Sequence, residues 1–291
     1  MNNPISAEQF STAKTPQIMQ PQQAKRLTKR DQAWYRPVHS PEHGVYVVLL
    51  VAFLTGAAAA QQWTWITTLA LLCAFLGFQA EHPLALQIRQ RKTLKPRFLF
   101  WGGLYAGAAS AIALYLYLHT PAVGWLYAAV MVALAVDAIA VYSRKQRALF
   151  NEWITFAAVC LAAPLAYITT VGTLSPVVVG LWGINALFFG GSIFTVKLRK
   201  LKAMSGGPGN AYHSVALLVT IGLYQWQLVP LSGVIMMAVA LFKFWVVLWQ
   251  RSWYCQTPIK NVAMIETTLA FLFLVAISLS LLPAHLPPFP A

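Results

Sequence analysis

The chain alternates long apolar runs with short basic connections, and this alternation restricts its fold more than any single motif. A membrane crossing needs about 17–25 mostly apolar residues. Nine runs come close to or meet that length, at roughly 44–60, 63–80, 99–118, 122–142, 149–169, 176–196, 212–227, 230–250 and 263–283, with the first and seventh the shortest. A backbone in hydrocarbon must satisfy its own hydrogen bonds, so continuous apolar runs of this length are read as helices. Hydrophobic residues make up 58% of the chain and charged residues 10%, against about 25% charged in a soluble domain. The expected fold is therefore all-α, a polytopic membrane bundle of about nine transmembrane helices.

The basic residues fall on alternate connections. Arg89, Arg91, Lys92, Lys95 and Arg97 follow the second run, and Arg144, Lys145 and Arg147 follow the fourth. Lys197, Arg199, Lys200 and Lys202 follow the sixth, and Arg251 and Lys260 the eighth, while "QQWT", "LHTPAVG", "TTVGTLS" and "WQLVPL" carry no Lys or Arg. The positive-inside rule then places the N-terminus in the cytoplasm and the C-terminus outside. Three regions follow: a flexible basic cytoplasmic tail over 1–39, a transmembrane domain over 40–285, and a short C-terminal tail over 286–291. The first 39 residues lack an apolar core of the signal-peptide kind. Trp34 and Tyr35 suit an interface just ahead of the first span.

The net charge of +14 is explained by these anchoring blocks and by anionic lipid, so a nucleic-acid partner is not expected. Cys73, Cys160 and Cys255 are widely separated, which points to neither a disulfide nor a zinc site. The expected location is a bacterial cytoplasmic membrane or a thylakoid-type membrane. Oligomeric state is not legible.

Only seven residues are acidic. Glu8 and Asp31 lie in the tail, and Glu42, Glu81, Asp137, Glu152 and Glu266 all map to the cytoplasmic half of a span. Lys243 lies inside the eighth span, and Asn185 is a strongly polar side chain near a midplane. A charge at the centre of a membrane helix costs about 2.5–3.5 kcal/mol on insertion scales. Asp137 and Lys243 thus require partners or a polar cavity. At "SPEHGVYVVLL", residues 40–50, Ser40 suits a helix cap, Pro41 a first helical position, and Glu42 the positive end of the dipole. Glu152 and Glu266 also suit the dipole. His43 is unexplained by capping, and is expected to border a polar pocket. His82 and His213 read as interfacial rather than as metal ligands. The stretch "SGGPGN", 205–210, reads as a flexible turn, with a backbone anion nest beside Lys200 and Lys202 as the alternative. No metal site is expected.

Two longer patterns carry a resemblance. "SPEHGVYVVLLVAFLTG" and "FFGGSIFTVKLRKLKA", with "AEHPLALQIRQRK" and "LFNEWITFAAVCLAAPLAY", resemble the YwiC-like family of bacterial membrane proteins over most of residues 40–285. More distantly, "VYSRKQRALFNEWITFAAVCLAAPLAY", residues 141–167, is similar to the Tyr-then-basic cluster and following helix of UbiA-type prenyltransferases. That likeness implies a nine-helix arrangement working from the cytoplasmic side, with Tyr142, Lys145 and Arg147 as anion-contacting groups. It also implies two Asp-rich motifs that hold magnesium and a prenyl diphosphate. Here the loop after the second run holds one acid, Glu81, and "KLRKLKAMSGGPGN" holds none. Magnesium takes oxygen ligands, usually carboxylates, and is therefore not expected.

The function expected is binding of an amphipathic lipid, isoprenoid- or quinone-like, in a cytoplasm-facing polar cavity. Its headgroup would meet Tyr142, Arg144, Lys145, Arg147, Lys197 and Arg199. A divergent transferase is the alternative, with Glu42, His43, Asp137 and Glu152 as acid/base candidates and no cofactor assigned. A transporter would instead line its path with Asp137, Lys243 and Asn185, and a membrane-complex scaffold is the fourth reading.

Overall fold

The computed structural model describes residues 35–200 and 205–282. Most of the 1–39 tail, Lys202, and the 286–291 tail lie outside the described residues, as does the side chain of Lys200. Among the described residues the fold is entirely helical. The helices are α1 (His43–Ala60), α2 (Trp65–Arg89), α3 (Pro96–His119), α4 (Gly124–Tyr142), α5 (Leu149–Val159), α6 (Ala162–Val171), α7 (Val177–Lys200), α8 (Gly207–Gln225), α9 (Leu231–Trp249), α10 (Arg251–Gln256) and α11 (Ile259–Leu281).

Eight segments are long and apolar enough to cross a membrane. They are α1, α2, α3, the stretch Pro121–Tyr142 that contains α4, the joined pair Leu149–Val171, α7, α9 and α11. The seventh apolar run becomes α8, 19 residues long, whose Asn210, His213, Ser214 and Thr220 make it less apolar than the rest. The expected bundle of about nine helices is thus present as eight candidate spans plus one more polar long helix.

Two departures from the expected boundaries have local causes. The run at 149–169 is divided into α5 and α6. Proline lacks a backbone donor and clashes with the carbonyl four residues earlier. Pro164 therefore strips Cys160 of its helical partner, and the Cys160 carbonyl accepts instead from Ala163 at 3.1 Å. The second run, read to end at residue 80, continues as helix through Pro83 to Arg89. Glu81 therefore sits two turns inside a helix rather than at its end. "SGGPGN" is not a free turn: Gly207 opens α8 and proline lies in its first two positions.

Helix α1 is central. It packs on α6, α11, α7, α5 and α2. Its approach to α6 is close, because a Cβ at Gly56 would overlap the carbonyl of Ala163. Phe53, Leu49, Ala163, Ile168 and Leu181 build one core around this contact. Phe188, Phe189 and Phe273 build another between α7 and α11, with the Phe188 and Phe273 rings stacked at 4.1 Å.

Side-chain ties fix which helix ends lie together. At one end Gln61 donates to the Leu281 carbonyl at 3.1 Å, and Thr67 bonds Thr170 at 2.7 Å. At the other, Arg97 donates to the Arg36 and Pro37 carbonyls, and the Arg91 guanidinium lies 3.9 Å from the centre of the Tyr142 ring. There too Lys197 donates to the Arg147 carbonyl at 2.8 Å, and Arg199 to the Tyr254 carbonyl at 2.8 Å. The basic connections therefore gather at one end of the bundle. Exposed tryptophans mark both ends, with Trp63, Trp65, Trp125 and Trp226 at the uncharged end and Trp249 and Trp253 at the basic one.

Candidate functional site

The polar side chains of the basic end form three neighbouring groups rather than one open cavity. The first lies between α2, α4 and α5. Asn151, near the start of α5, is 4% exposed. Its Nδ2 donates to Asp137 Oδ1 at 2.8 Å and to the Gln146 carbonyl at 3.3 Å. Its Oδ1 is buried without a partner. Glu81 comes from α2, two residues before Pro83 in that helix, and lies within electrostatic reach of Asp137. Glu42, preceding α1, lies within electrostatic reach of Glu81 and His82.

The second group ties α5 to α7. Glu152, in the first turn of α5, pairs with Lys197 at 3.0 Å. The third ties α9 to α11 and α7. Lys243 Nζ meets both oxygens of Glu266, at 2.8 and 2.9 Å, and Thr195 Oγ1 donates to the same carboxylate at 3.3 Å. Close by, His213 is stacked on Phe244 at 4.6 Å and bonds the Gly209 carbonyl through Nδ1 at 2.8 Å. Its Nε2 faces Gly191, where a Cβ would come within 2.7 Å. Tyr254, on the short α10 beyond the end of α9, is buried, and loss of hydration pushes its phenol up to about 12.

These positions revise several sequence expectations. Ser40 is not the cap: Glu42 holds the N-cap position of α1 and makes no side-chain cap bond. Ser40 is buried, and its backbone N–H donates to Gln79 on α2. His43 is exposed in the first turn of α1. Glu266 lies two turns inside α11, beyond the reach of the helix dipole, and Lys243 is its partner. His213 is a core histidine, 2% exposed, not an interfacial one. Asn185 is fully buried, donating to Thr55 Oγ1 at 3.0 Å and to the Leu181 carbonyl at 2.8 Å. Its contacts are thus with α1 and its own helix, while Asp137 and Lys243 belong to separate groups.

The four acid/base candidates are also divided. Asp137 accepts from Asn151, Glu152 pairs with Lys197, and no hydrogen bond or ion pair joins Glu42, His43, Asp137 and Glu152 to one another among the described residues. No group of three or more His, Cys, Asp or Glu suited to a metal ion occurs there either. Of the six expected headgroup contacts, Tyr142, Arg144, Lys145 and Arg147 are exposed, Arg144 with a left-handed φ of 58°. Lys197 and Arg199 are turned inward onto Glu152 and the Tyr254 carbonyl.

Sequence reasoning missed Asn151 and gave Glu81 a terminal position. The Asn-Glu pair at 151–152, one turn from the basic "SRKQR" connection, is the signal that would have found the first.

Beside this end, an open groove of about 310 Å³ runs between α5, α7 and α8, lined by Leu149, Phe150, Trp153, Ile193, Phe194 and Tyr212. Gly190 leaves room for the Tyr212 hydroxyl, which a Cβ there would overlap. That hydroxyl accepts from Trp153 Nε1 at 3.3 Å and donates to the Leu187 carbonyl at 3.0 Å.

No curated protein and no solved structure matches this chain. Residues 40–167, from the PEHG segment through α1 to α5 and into α6, match the model of the family described as YwiC-like protein. The matched stretch holds Glu42, Glu81, Asp137, Asn151 and Glu152, and ends before Lys197, Lys243 and Glu266. On its helices and this match together, the chain is an integral membrane protein, similar over that stretch to the YwiC-like family.

Proposed function

We propose that the protein binds an amphipathic lipid at the basic end of the bundle, with the anionic head on the connection between α4 and α5 and the apolar chain in the adjoining groove. The groove carries this reading. Leu149 and Phe150 line it, and both directly follow the exposed Arg144, Lys145 and Arg147. An apolar trough that begins where three free cations end is complementary to a lipid with one charged end. Its volume lies at the lower limit of ligand pockets, about 300–1,000 Å³, which suits one chain rather than two.

In this reading the basic end faces the cytoplasm, by the positive-inside rule. Reading residues 141–167 as UbiA-like suggests the lipid class, isoprenoid- or quinone-like. Magnesium-dependent diphosphate chemistry is not part of it, since both Asp-rich motifs are missing.

The test is native mass spectrometry of protein purified with its lipids. A juxtamembrane cation attracts anionic lipid by about 1 kcal/mol. Replacing Arg144, Lys145 and Arg147 with Gln should then weaken anionic-lipid affinity about a hundredfold. An unchanged lipid profile in the triple variant would overturn the proposal.

A further inference from the structure

We propose that Asp137, Gln146 and Asn151 hold a hard divalent cation of the calcium type at the basic end of the bundle, on oxygen atoms that the fold leaves without a donor. Asn151 is 4% exposed. Its Nδ2 is committed to Asp137 Oδ1 at 2.8 Å and to the Gln146 carbonyl at 3.3 Å. Both partners are acceptors, which assigns the amide orientation. Its Oδ1 is then a buried acceptor without a partner.

Gln146 repeats the pattern. Residues 142–150 are otherwise exposed, and Gln146 alone among them turns inward, with its Oε1 buried and unpartnered. Lys145 and Arg147 flank it and could have carried a positive charge to the same place, yet both are exposed. Among the described residues the ion pairs are Lys197 with Glu152 and Lys243 with Glu266, and Asp137 takes part in neither. Its neighbourhood is therefore all acceptor, with no protein cation to balance it.

Buried unpartnered acceptors are rare and mark places where a water or an ion is accommodated. A water would satisfy the amide oxygens but bring no charge. Asp137 and Glu81 lie within electrostatic reach of each other, and unpaired charge inside a membrane bundle is costly. A divalent ion answers both demands. Calcium takes about six to eight oxygens from carboxylates, Asn and Gln amides, backbone carbonyls and waters. Asp137, Asn151 Oδ1, Gln146 Oε1 and the second lone pair of the Gln146 carbonyl are donors of those kinds. Zinc would call for nitrogen or sulfur, and magnesium sheds its waters reluctantly and demands a near-ideal octahedron. Most of these donors are uncharged, so the site contains no set of three acids, histidines or cysteines. The exposed Arg144, Lys145 and Arg147 face water, where salt screens charge beyond about 10 Å. The lipid reading rests on those cations and on the groove, not on these oxygens, so either reading can fail without the other.

Equilibrium dialysis of the full-length protein in phosphatidylcholine nanodiscs, whose lipid carries no net charge, provides the test. Calcium chloride is titrated at neutral pH and fixed ionic strength, with empty nanodiscs as the blank. The protein should bind one calcium ion per chain, with a Kd of about 0.1–1 mM, the range of the weaker protein sites. Asp137→Asn should abolish binding. Gln146→Leu should weaken it at least about tenfold, the loss seen even for groups that only orient a ligand. The Lys243→Met/Glu266→Gln double variant, which removes a neighbouring acid together with its partner, should bind like the parent. No saturable binding above empty nanodiscs would overturn the proposal, as would full binding by Asp137→Asn. Displacement of calcium by an equal concentration of magnesium would overturn it too. The wild-type titration and the magnesium competition decide the matter even if a variant fails to fold.

Discussion

The Lys243–Glu266 pair offers the most demanding energetic test of this structure. Both charges lie in helices that span the bundle, with side chains 16% and 24% exposed, and the lysine reaches both carboxylate oxygens at 2.8 and 2.9 Å. Removing one partner of a buried pair strands the other charge, which costs about 3–5 kcal/mol, whereas replacing both with neutral groups of similar shape is nearly neutral. Lys243 is partly reachable from the basic end, so the lower part of that range applies. Lys243→Met and Glu266→Gln should each destabilise the protein by about 3 kcal/mol. The double variant should fall within about 1 kcal/mol of the parent, where independent effects would sum to about 6 kcal/mol. Reversible denaturation in mixed micelles, run as a double-mutant cycle, gives the four values. Additive single effects, or single effects below about 0.5 kcal/mol as for exposed pairs, would show that the pair does not hold α9 to α11.

Gly56→Ala should cost about 1–3 kcal/mol, because the new methyl group meets the Ala163 backbone and forces α1 and α6 apart. Gly44→Ala in the same helix, with nothing within 4 Å, should be neutral or slightly stabilising in the same thermal-unfolding assay. The Tyr254 phenol, raised from the usual 10 to about 12 by burial, binds its proton more tightly in the folded state. Stability should therefore be unaffected by this group below pH 10 and fall as pH rises from about 10 to about 12. Tyr254→Phe should flatten that part of the stability profile, measured by denaturant titration, and a profile unchanged by the substitution would refute the assignment.

The helical bundle was legible because apolar run length alone specifies it, and basic loops on alternate connections already implied that the charged ends meet. The site was legible only as a list of acids. Partner choice depends on helix rotation, which a run of uniformly apolar residues does not encode: α1 and α4 are apolar on all faces, so nothing in their pattern says that Asp137 turns toward Asn151 on α5. Glu81 looked terminal because the apolar run stops near residue 80, yet the helix continues past Pro83. Glu266 looked like a dipole residue because α11 begins at Ile259, earlier than its hydropathy suggests. Asn151 was overlooked because its neighbour Glu152 carries the charge. For Glu81 and Glu266 a boundary error of one or two turns changed the role assigned to the residue.

The interruption at Cys160 has a mechanical consequence. Helix α6 is buried along most of its length and held against α1 at Gly56, so it serves as a fixed mount. Helix α5 buries only Asn151 and Ala157, and it carries the Asp137 partner, the Lys197 partner and one wall of the groove. With the helical bond of the Cys160 carbonyl lost, α5 can be treated as a lever arm hinged there. From Cys160 to Asn151 the arm spans nine residues, about 14 Å at 1.5 Å per residue. A tilt of about 10° at the hinge moves the Asn151 end by about 2 Å, which is enough to break its bond to Asp137, and carries Trp153 along the groove in the same stroke.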